Sequence, residues 1–453
     1  MPLEPGLWDL SISEGALAWH GVPLERIAER FGTPVFAVSA DRLRSDAGRW
    51  VESAVRAGFP CRMFFSFKTC PVPALAPIIG AFGFGMEVSA CHELEAVLAA
   101  GIPPARIIVG GTGWSIEEYT LALREGVALI MIDTREDAKK LVEAAARQPM
   151  GGNVGLRFAL GVKPRGTARL TASSVRSNRF GLEPGGEECR EILSLLRSRS
   201  SLRLTTVHSH IGTGLTDLSA FRRNFTVLAG VYKQLVSMGF PLESMDVGGG
   251  LGVPTVRVFS SFEFLVYAGG LRRPPPPRAV GRDLVSAYFS VLQRAWREEF
   301  GAGRRPPEIL LEPGRAVVSA SVLLLLRVLH VRMRSGRRIA VADGGALSTG
   351  LSVLAEYHEV FRVHAPREKV RYLYDIVGRI PTPLDILYRK KWMPELREGD
   401  LIAVMDAGAY MIPTITGFAS LRPPIVLIED GELRCIVSRE RGNGSQSGGA
   451  YDV

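Results

Sequence analysis

Cysteine is scarce in this chain: five in 453 residues, Cys61, Cys70, Cys91, Cys189 and Cys435. Their odd number and irregular spacing fit neither a disulfide framework nor a structural metal site. No metal is expected, and a reducing, cytoplasmic setting suits them best. Long apolar runs are also missing. A membrane-crossing helix needs roughly eighteen or more apolar residues in succession; the nearest approach, Val317–Val328, is broken by Ser319, Ser321 and Arg327. The opening residues, MPLEPGLWDLSISEG, carry neither a basic region nor an apolar core, so a secretory leader is not expected. Concentrated charge is absent as well. The formal net charge is +9, but the arginines are spread along the chain, which argues against nucleic-acid binding. The excess suits anionic substrates or an acidic carrier partner better. With 46% hydrophobic and 22% charged residues, the composition is that of an ordinary globular enzyme. The length exceeds one common core, so two domains are expected.

From residue 60 onward, short apolar runs alternate with longer amphipathic stretches. The strand candidates are Arg62–Phe67, Gly85–Val88, Arg106–Val109, Ala128–Ile132, Val154–Phe158, Thr205–His210, Ser244–Val247 and Glu308–Leu311. Helical patterns such as Cys91–Ala100, Ile116–Arg124, Arg135–Arg147 and Leu218–Met238 lie between them. Eight strand–helix units predict a parallel (β/α)8 barrel, whose chemistry sits at the carboxyl ends of the strands. After Glu312 the pattern turns β-rich, in Ala316–Val331, Arg338–Asp343, Asp400–Asp406 and Pro424–Ile428. The expected division is therefore residues 36–312 as the barrel and 313–440 as a C-terminal β-domain, joined by the N-terminal 1–35. Gly269–Arg278, with four consecutive prolines, reads as a stiff surface insertion, and 441–453 as a disordered tail.

One strand end stands out. The run Met63-Phe64-Phe65-Ser66-Phe67 delivers Lys68, and a lone ammonium on a buried strand is costly unless paired, neutralised or used covalently. The bland alternative is a lysine reaching solvent. The other strand ends read Glu87-Val88-Ser89, Arg157, His208-Ser209-His210-Ile211-Gly212-Thr213, Gly248-Gly249-Gly250 and Glu312-Pro313-Gly314-Arg315, with Asp406-Ala407-Gly408-Ala409-Tyr410 further on. In this order the set resembles the fold-type III pyridoxal-phosphate decarboxylases of diaminopimelate, ornithine and arginine, over roughly residues 30 to 437.

The resemblance implies an alanine racemase-like fold: a TIM-like barrel plus a C-terminal β-sandwich or β-barrel-like domain. It implies pyridoxal 5′-phosphate as cofactor, held by Lys68 as an internal aldimine. Glu312 would face the pyridine nitrogen and His210 would stack on the ring. Gly248, Gly249 and Gly250, with Thr213, Arg315 and Tyr410, would hold the phosphate. Glu87, in place of the usual aspartate, would sit near the Schiff base, beside a barrel-lining Arg157. It further implies a homodimer in which one subunit's β-domain completes its partner's site.

One segment departs from the pattern. Gly378-Arg379-Ile380-Pro381-Thr382-Pro383-Leu384-Asp385 has proline where the decarboxylases carry a catalytic cysteine, and Thr382 where they carry an acid. Ahead of Tyr357, Gly350-Leu351 and Leu354 replace an Arg-Pro and a tyrosine. Pro381, Thr382 and Asp385 are thus the substrate-side candidates, and a diaminopimelate-like substrate is not expected. The expected activity is decarboxylation of another amino acid or amino-acid conjugate, in secondary metabolism such as siderophore or antibiotic precursor synthesis. The competing readings are a different pyridoxal-phosphate reaction (racemisation, elimination or carbon–carbon bond formation) and a non-catalytic binding partner.

Overall fold

The computed structural model describes residues 3–147, 151–164, 180–199, 201–277, 279–301 and 306–442. The expected disordered tail falls outside the described residues from position 443 onward, as does Arg278 of the proline-rich segment. The chain divides into two compact units, one of Ala47–Gly252 with Asp283–Arg315, the other of Met1–Asp46, Val253–Arg282 and Ala316–Val453.

The first unit is a closed barrel of eight parallel strands. They are β1 (Cys61–Ser66), β2 (Gly85–Val88), β3 (Ile107–Val109), β4 (Leu129–Ile132), β5 (Gly152–Arg157), β6 (Leu202–His208), β7 (Ser244–Asp246) and β8 (Glu308–Leu311). Each pairs with the next in sequence, and β8 closes on β1. Strands covered on both faces need continuous apolar runs, and β2 and β4 are buried at every position. Phe64, Ile108, Leu129, Met131 and Leu310 fill part of the interior. The intervening helices start where capping is available: Ser115 and Glu118 form a reciprocal capping box, and Asp217 caps Leu218–Ser237.

Register sets the height of every strand end. Ser66 is opposite Glu87, Arg157 opposite His208, His208 opposite Asp246, and Asp246 opposite Leu310. The carboxyl ends therefore share one rim, and the residues just beyond them form a single ring.

The second unit is built on a nine-stranded sheet. Its labelled members are β9 (Val322–Arg334), β10 (Arg337–Ala342), β11 (Tyr372–Val377), β12 (Ile386–Met393), β13 (Leu401–Val404), β14 (Ile425–Glu429) and β15 (Glu432–Val437). The main path runs β12-β11-β10-β9, then the strand Val35–Ser39, then β14-β15, while β13 pairs with β9. Two boundaries differ from the sequence expectation. Val35–Ser39 belongs to this sheet, so the barrel unit begins at Ala47 and not at 36. Val253–Arg282, expected inside the barrel, clusters with the sheet because Arg257–Val258 pairs antiparallel with Glu356–Tyr357. No described helix is long and apolar enough to cross a membrane.

Candidate active site

Lys68 does not sit on a strand. The chain leaves β1 at Ser66 into a short 3-10 turn, Phe67–Thr69, which lifts Lys68 onto the rim with 41% of its side chain exposed. Its ammonium is not alone either. Nζ lies 2.7 and 2.5 Å from the two oxygens of Glu87 and 3.1 Å from Ser89 Oγ. Ser66 and Ser89 donate to the same carboxylate at 2.7 and 3.0 Å. Burial pushes the Glu87 carboxyl up, but the Lys68 charge and these hydrogen bonds outweigh it and hold its pKa below the usual range. Of the three ways the sequence left open for this ammonium, the structure shows pairing: the amine is held in an ion pair with Glu87.

Across the rim, the end of β6 supplies two histidines. His208 is buried, with Nε2 3.7 Å from Glu312 Oε2. His210 lies in the following loop, and its Nδ1 accepts the Gly249 N–H at 3.3 Å. Burial, then the charges of Arg157 and Lys68, push His210 down to about 3, so its ring is neutral at ordinary pH. Burial drives His208 down in the same way. Arg157 ends β5 and lies over the Phe180 ring, 4.9 Å from its centroid.

Glu312 follows β8 and faces Asp246 at the end of β7. Both are buried. Asp246 Oδ1 accepts the Gly248 N–H at 2.8 Å, and its carboxyl also meets that of Glu312. Burial raises Asp246 to about 7 and Glu312 well above the usual carboxyl range, the mutual charge adding to the effect on Glu312. Two carboxyls in this contact cannot both stay ionised without a cation.

The glycine turn is crowded on all sides. A Cβ on Gly249 would fall 2.0 Å from the Glu312 carbonyl oxygen, and one on Gly250 2.0 Å from that of Gly212. Gly248 and Gly250 also have positive φ, +69° and +100°. Only glycine fits here, and the backbone N–H groups come close to whatever occupies the rim. Thr213 is half-buried in the adjacent loop, and Arg315 is buried at the start of a short helix, Arg315–Val318.

The residues fit a phosphorylated pyridine aldehyde: an amine for the carbonyl, a buried carboxyl for the ring nitrogen and a glycine cradle for the phosphate. His208, His210 and Glu312 also bring ligand atoms within 4.8 Å of one another, close enough for a divalent ion. Sequence reasoning had not assigned Asp246 or His208 to the site. Asp246 was legible only as a strand residue two positions before the glycines, and His208 as the neighbour two positions before His210.

The other candidates belong to the sheet unit. Tyr410 has a left-handed backbone, φ +65°. Pro381 is exposed and Thr382 half-buried. Asp385 is buried, one oxygen accepting the Ile380 N–H of its own loop at 3.0 Å and the other the Leu347 N–H of the short helix Ala346–Thr349 at 3.1 Å.

The buried carboxyls carry a pH dependence. A carboxyl whose folded pKa is raised binds its proton more tightly when folded, so stability falls as pH rises from the unfolded value near ~3.9 through about 7 for Asp246. Each such proton contributes up to about 1.4 kcal/mol per pH unit. Below about pH 6.5 the depressed His208 and His210 add an opposing slope, so the cofactor-free protein is expected to lose thermal stability between about pH 7 and 8, and Asp246→Asn to flatten that loss. Melting curves that stay level or rise across the window would refute the shared-burial account.

Comparison with known proteins agrees with this geometry. Residues 41–319 match the family described as pyridoxal-dependent decarboxylase, pyridoxal binding domain. Diaminopimelate decarboxylase of Aquifex aeolicus is 26% identical over 95% of both chains, and that of Actinosynnema pretiosum is 29% identical over 97% of this chain and 94% of the relative. In fold, the diaminopimelate decarboxylase of M. jannaschii superposes with a TM-score of 0.82 at 21% identity, covering 96% of each chain. The Helicobacter pylori enzyme complexed with L-lysine gives 0.78 at 22%, covering 92% of this chain and 96% of that one. With the matched segment spanning every barrel strand, this chain belongs to the pyridoxal-dependent decarboxylases, carboxy-lyases that work with pyridoxal 5′-phosphate.

Proposed function

We propose that the chain decarboxylates an amino acid, or an amino-acid conjugate, other than diaminopimelate, with Lys68 as the residue that binds the cofactor's carbonyl. The observation that carries this reading is a contrast. The barrel rim keeps an amine, a buried carboxyl and a glycine cradle, whereas the Gly378–Asp385 segment has no thiol and holds its one acid on backbone N–H groups.

Bound pyridoxal 5′-phosphate supplies an electron-withdrawing ring that accepts the electron pair left when the carboxylate departs. The chain does the rest. Glu87 keeps the Lys68 proton within 2.7 Å and can take it when the amine must react. Glu312 holds a proton at the ring nitrogen, and Asp246 beside it raises the proton affinity of the pair. Neutral His210 offers a flat face to the ring without adding charge. The N–H groups of Gly248–Gly250, with Thr213 and Arg315, bind the phosphate. With no cysteine in the segment, the proton delivered after carbon dioxide leaves must come from another group.

The finer reading places the enzyme in secondary metabolism, in the cytoplasm, acting on a substrate that a positively charged surface would draw from an acidic carrier. Purified protein incubated with amino acids and their acyl or carrier conjugates, diaminopimelate included, is expected to release carbon dioxide from a conjugate or a monobasic amino acid. Release from diaminopimelate alone would sink the substrate assignment. Exchange of the α-hydrogen with the carboxylate retained would instead favour racemisation.

The assembly is a homodimer in which Tyr410 and Gly378–Asp385 of one subunit serve the barrel of its partner; the family resemblance supports this. Mixing Lys68→Ala with a variant disrupted in Gly378–Asp385 is expected to restore about a quarter of wild-type sites, because random pairing makes half the dimers mixed and each has one intact site. No recovery despite demonstrated subunit exchange would place each site within one chain.

A further inference from the structure

The sheet unit contains a cleft of about 970 Å³ that the barrel chemistry does not use. The proline-bearing segment after the helix Ser261–Ala268 forms one wall, from Leu271 to Pro276. The ends of β11 and β12 form the other. At its base lies a buried ion pair. Lys391 Nζ is 2.6 Å from Glu359 Oε1 and 2.8 Å from the Tyr357 hydroxyl, which itself donates to Glu359 Oε2 at 2.8 Å. This pair is internally matched and adds no net charge.

Three further cations line the cleft: Arg272, Arg273 and Lys390. Neither arginine has an acidic partner among the described residues, and the Lys390 ammonium meets only the neutral carbonyl of Gly270, at 2.5 Å. Glu359, already matched, is the one acid in the lining. An exposed apolar surface accompanies this charge. Trp392 is 42% exposed with the Arg273 guanidinium 5.5 Å from its ring centroid, and Leu271 is 75% exposed. Convergent cations beside an indole are the recognition chemistry of an anion attached to a flat or apolar body. The volume is at the upper end of the ~300–1,000 Å³ typical of small-molecule sites.

The cleft is not part of the Gly378–Asp385 turn. Leu373 is opposite Trp392 at one end of the β11–β12 hairpin, and Val377 is opposite Ile386 at the other, next to that turn. Leu373 and Val377 are four residue steps apart along the strand, about 13 Å by strand rise.

We propose that this cleft is a second ligand site that takes a small organic polyanion with an apolar body, such as a phosphorylated or polycarboxylate metabolite. The test is calorimetric titration of the cofactor-loaded enzyme with ATP, 4′-phosphopantetheine, citrate, pyrophosphate and a poly-glutamate peptide. At least one of the first three is expected to bind more tightly than pyrophosphate, which has no apolar body. Exchanging both exposed arginines, Arg272→Glu with Arg273→Glu, is expected to weaken that ligand by about tenfold or more. Trp392→Ala should weaken the organic ligand while leaving pyrophosphate unchanged. Lys68→Ala should bind as the wild type does, which separates this site from the cofactor site. The proposal is overturned if no small anion binds, or if binding survives the double arginine exchange. Competition by excess pyridoxal phosphate would overturn it by assigning the anion to the glycine cradle. Binding of poly-glutamate alone would overturn it in favour of a protein-docking surface.

Discussion

Replacing Lys68 by alanine is expected to abolish the borohydride-reducible link between protein and cofactor while leaving the barrel folded. Turnover should fall by about 10³-fold or more, equivalent to roughly 4 kcal/mol of barrier. The variant has a second consequence that follows from the ion pair. Glu87 is left as a buried carboxylate with, among the described residues, the Ser66 and Ser89 hydroxyls to hold its charge. Stranding a fully buried charge costs about 3–5 kcal/mol, but Lys68 is 41% exposed and water screens the pair, so a cost of about 1–2 kcal/mol is expected. Adding Glu87→Gln should recover that stability without recovering activity. Mass spectrometry after reduction checks the central assignment: an adduct on any other lysine would overturn it. Stability unchanged in Lys68→Ala would remove the ion-pair argument and leave the chemistry to be judged alone.

Much of this was legible in the chain because a parallel barrel forces its strand ends together. Glu87, His210, Gly248–Gly250 and Glu312 are up to 225 positions apart in sequence, yet each follows an apolar run, and closure alone puts them on one ring. The strand Gly85–Val88 has the same bounds in the structure as its run of residues suggests, since burial on both faces leaves no alternation to misread. What failed was partnership across strands. Lys68 looked isolated because its partner is fixed by the Ser66–Glu87 register, which neither strand encodes alone. Asp246 passed as one residue of the strand run Ser244–Val247 because its partner, Glu312, is reached only through β8. The boundary at Val253 was hidden for a related reason. The Arg257–Val258 bridge to Glu356–Tyr357 joins residues about a hundred positions apart, and nothing in their composition marks it.

Glu312→Gln is expected to separate catalysis from stability in opposite directions. Glutamine keeps the shape and can still meet Asp246 and the ring nitrogen, but it cannot become an anion. The proton at that nitrogen would lose its counter-charge, and kcat should drop by about 10²-fold or more, close to 2.7 kcal/mol. Substrate binding, made elsewhere, should change far less, so the loss appears in kcat before KM. The cofactor-free protein should behave differently. Burial, with the charge of Asp246 added, holds Glu312 well above the usual carboxyl range. Glutamine has no proton to hold against the raised folded-state pKa, so the cost that Glu312 adds as pH rises disappears and the melting temperature at pH 8 should rise or hold. A slow enzyme on a fold at least as stable would assign Glu312 to chemistry. An unchanged kcat would mean that the carboxylate serves the fold alone, and a pH 8 melting temperature below that of the wild type would refute the cost of burying the Glu312 carboxyl.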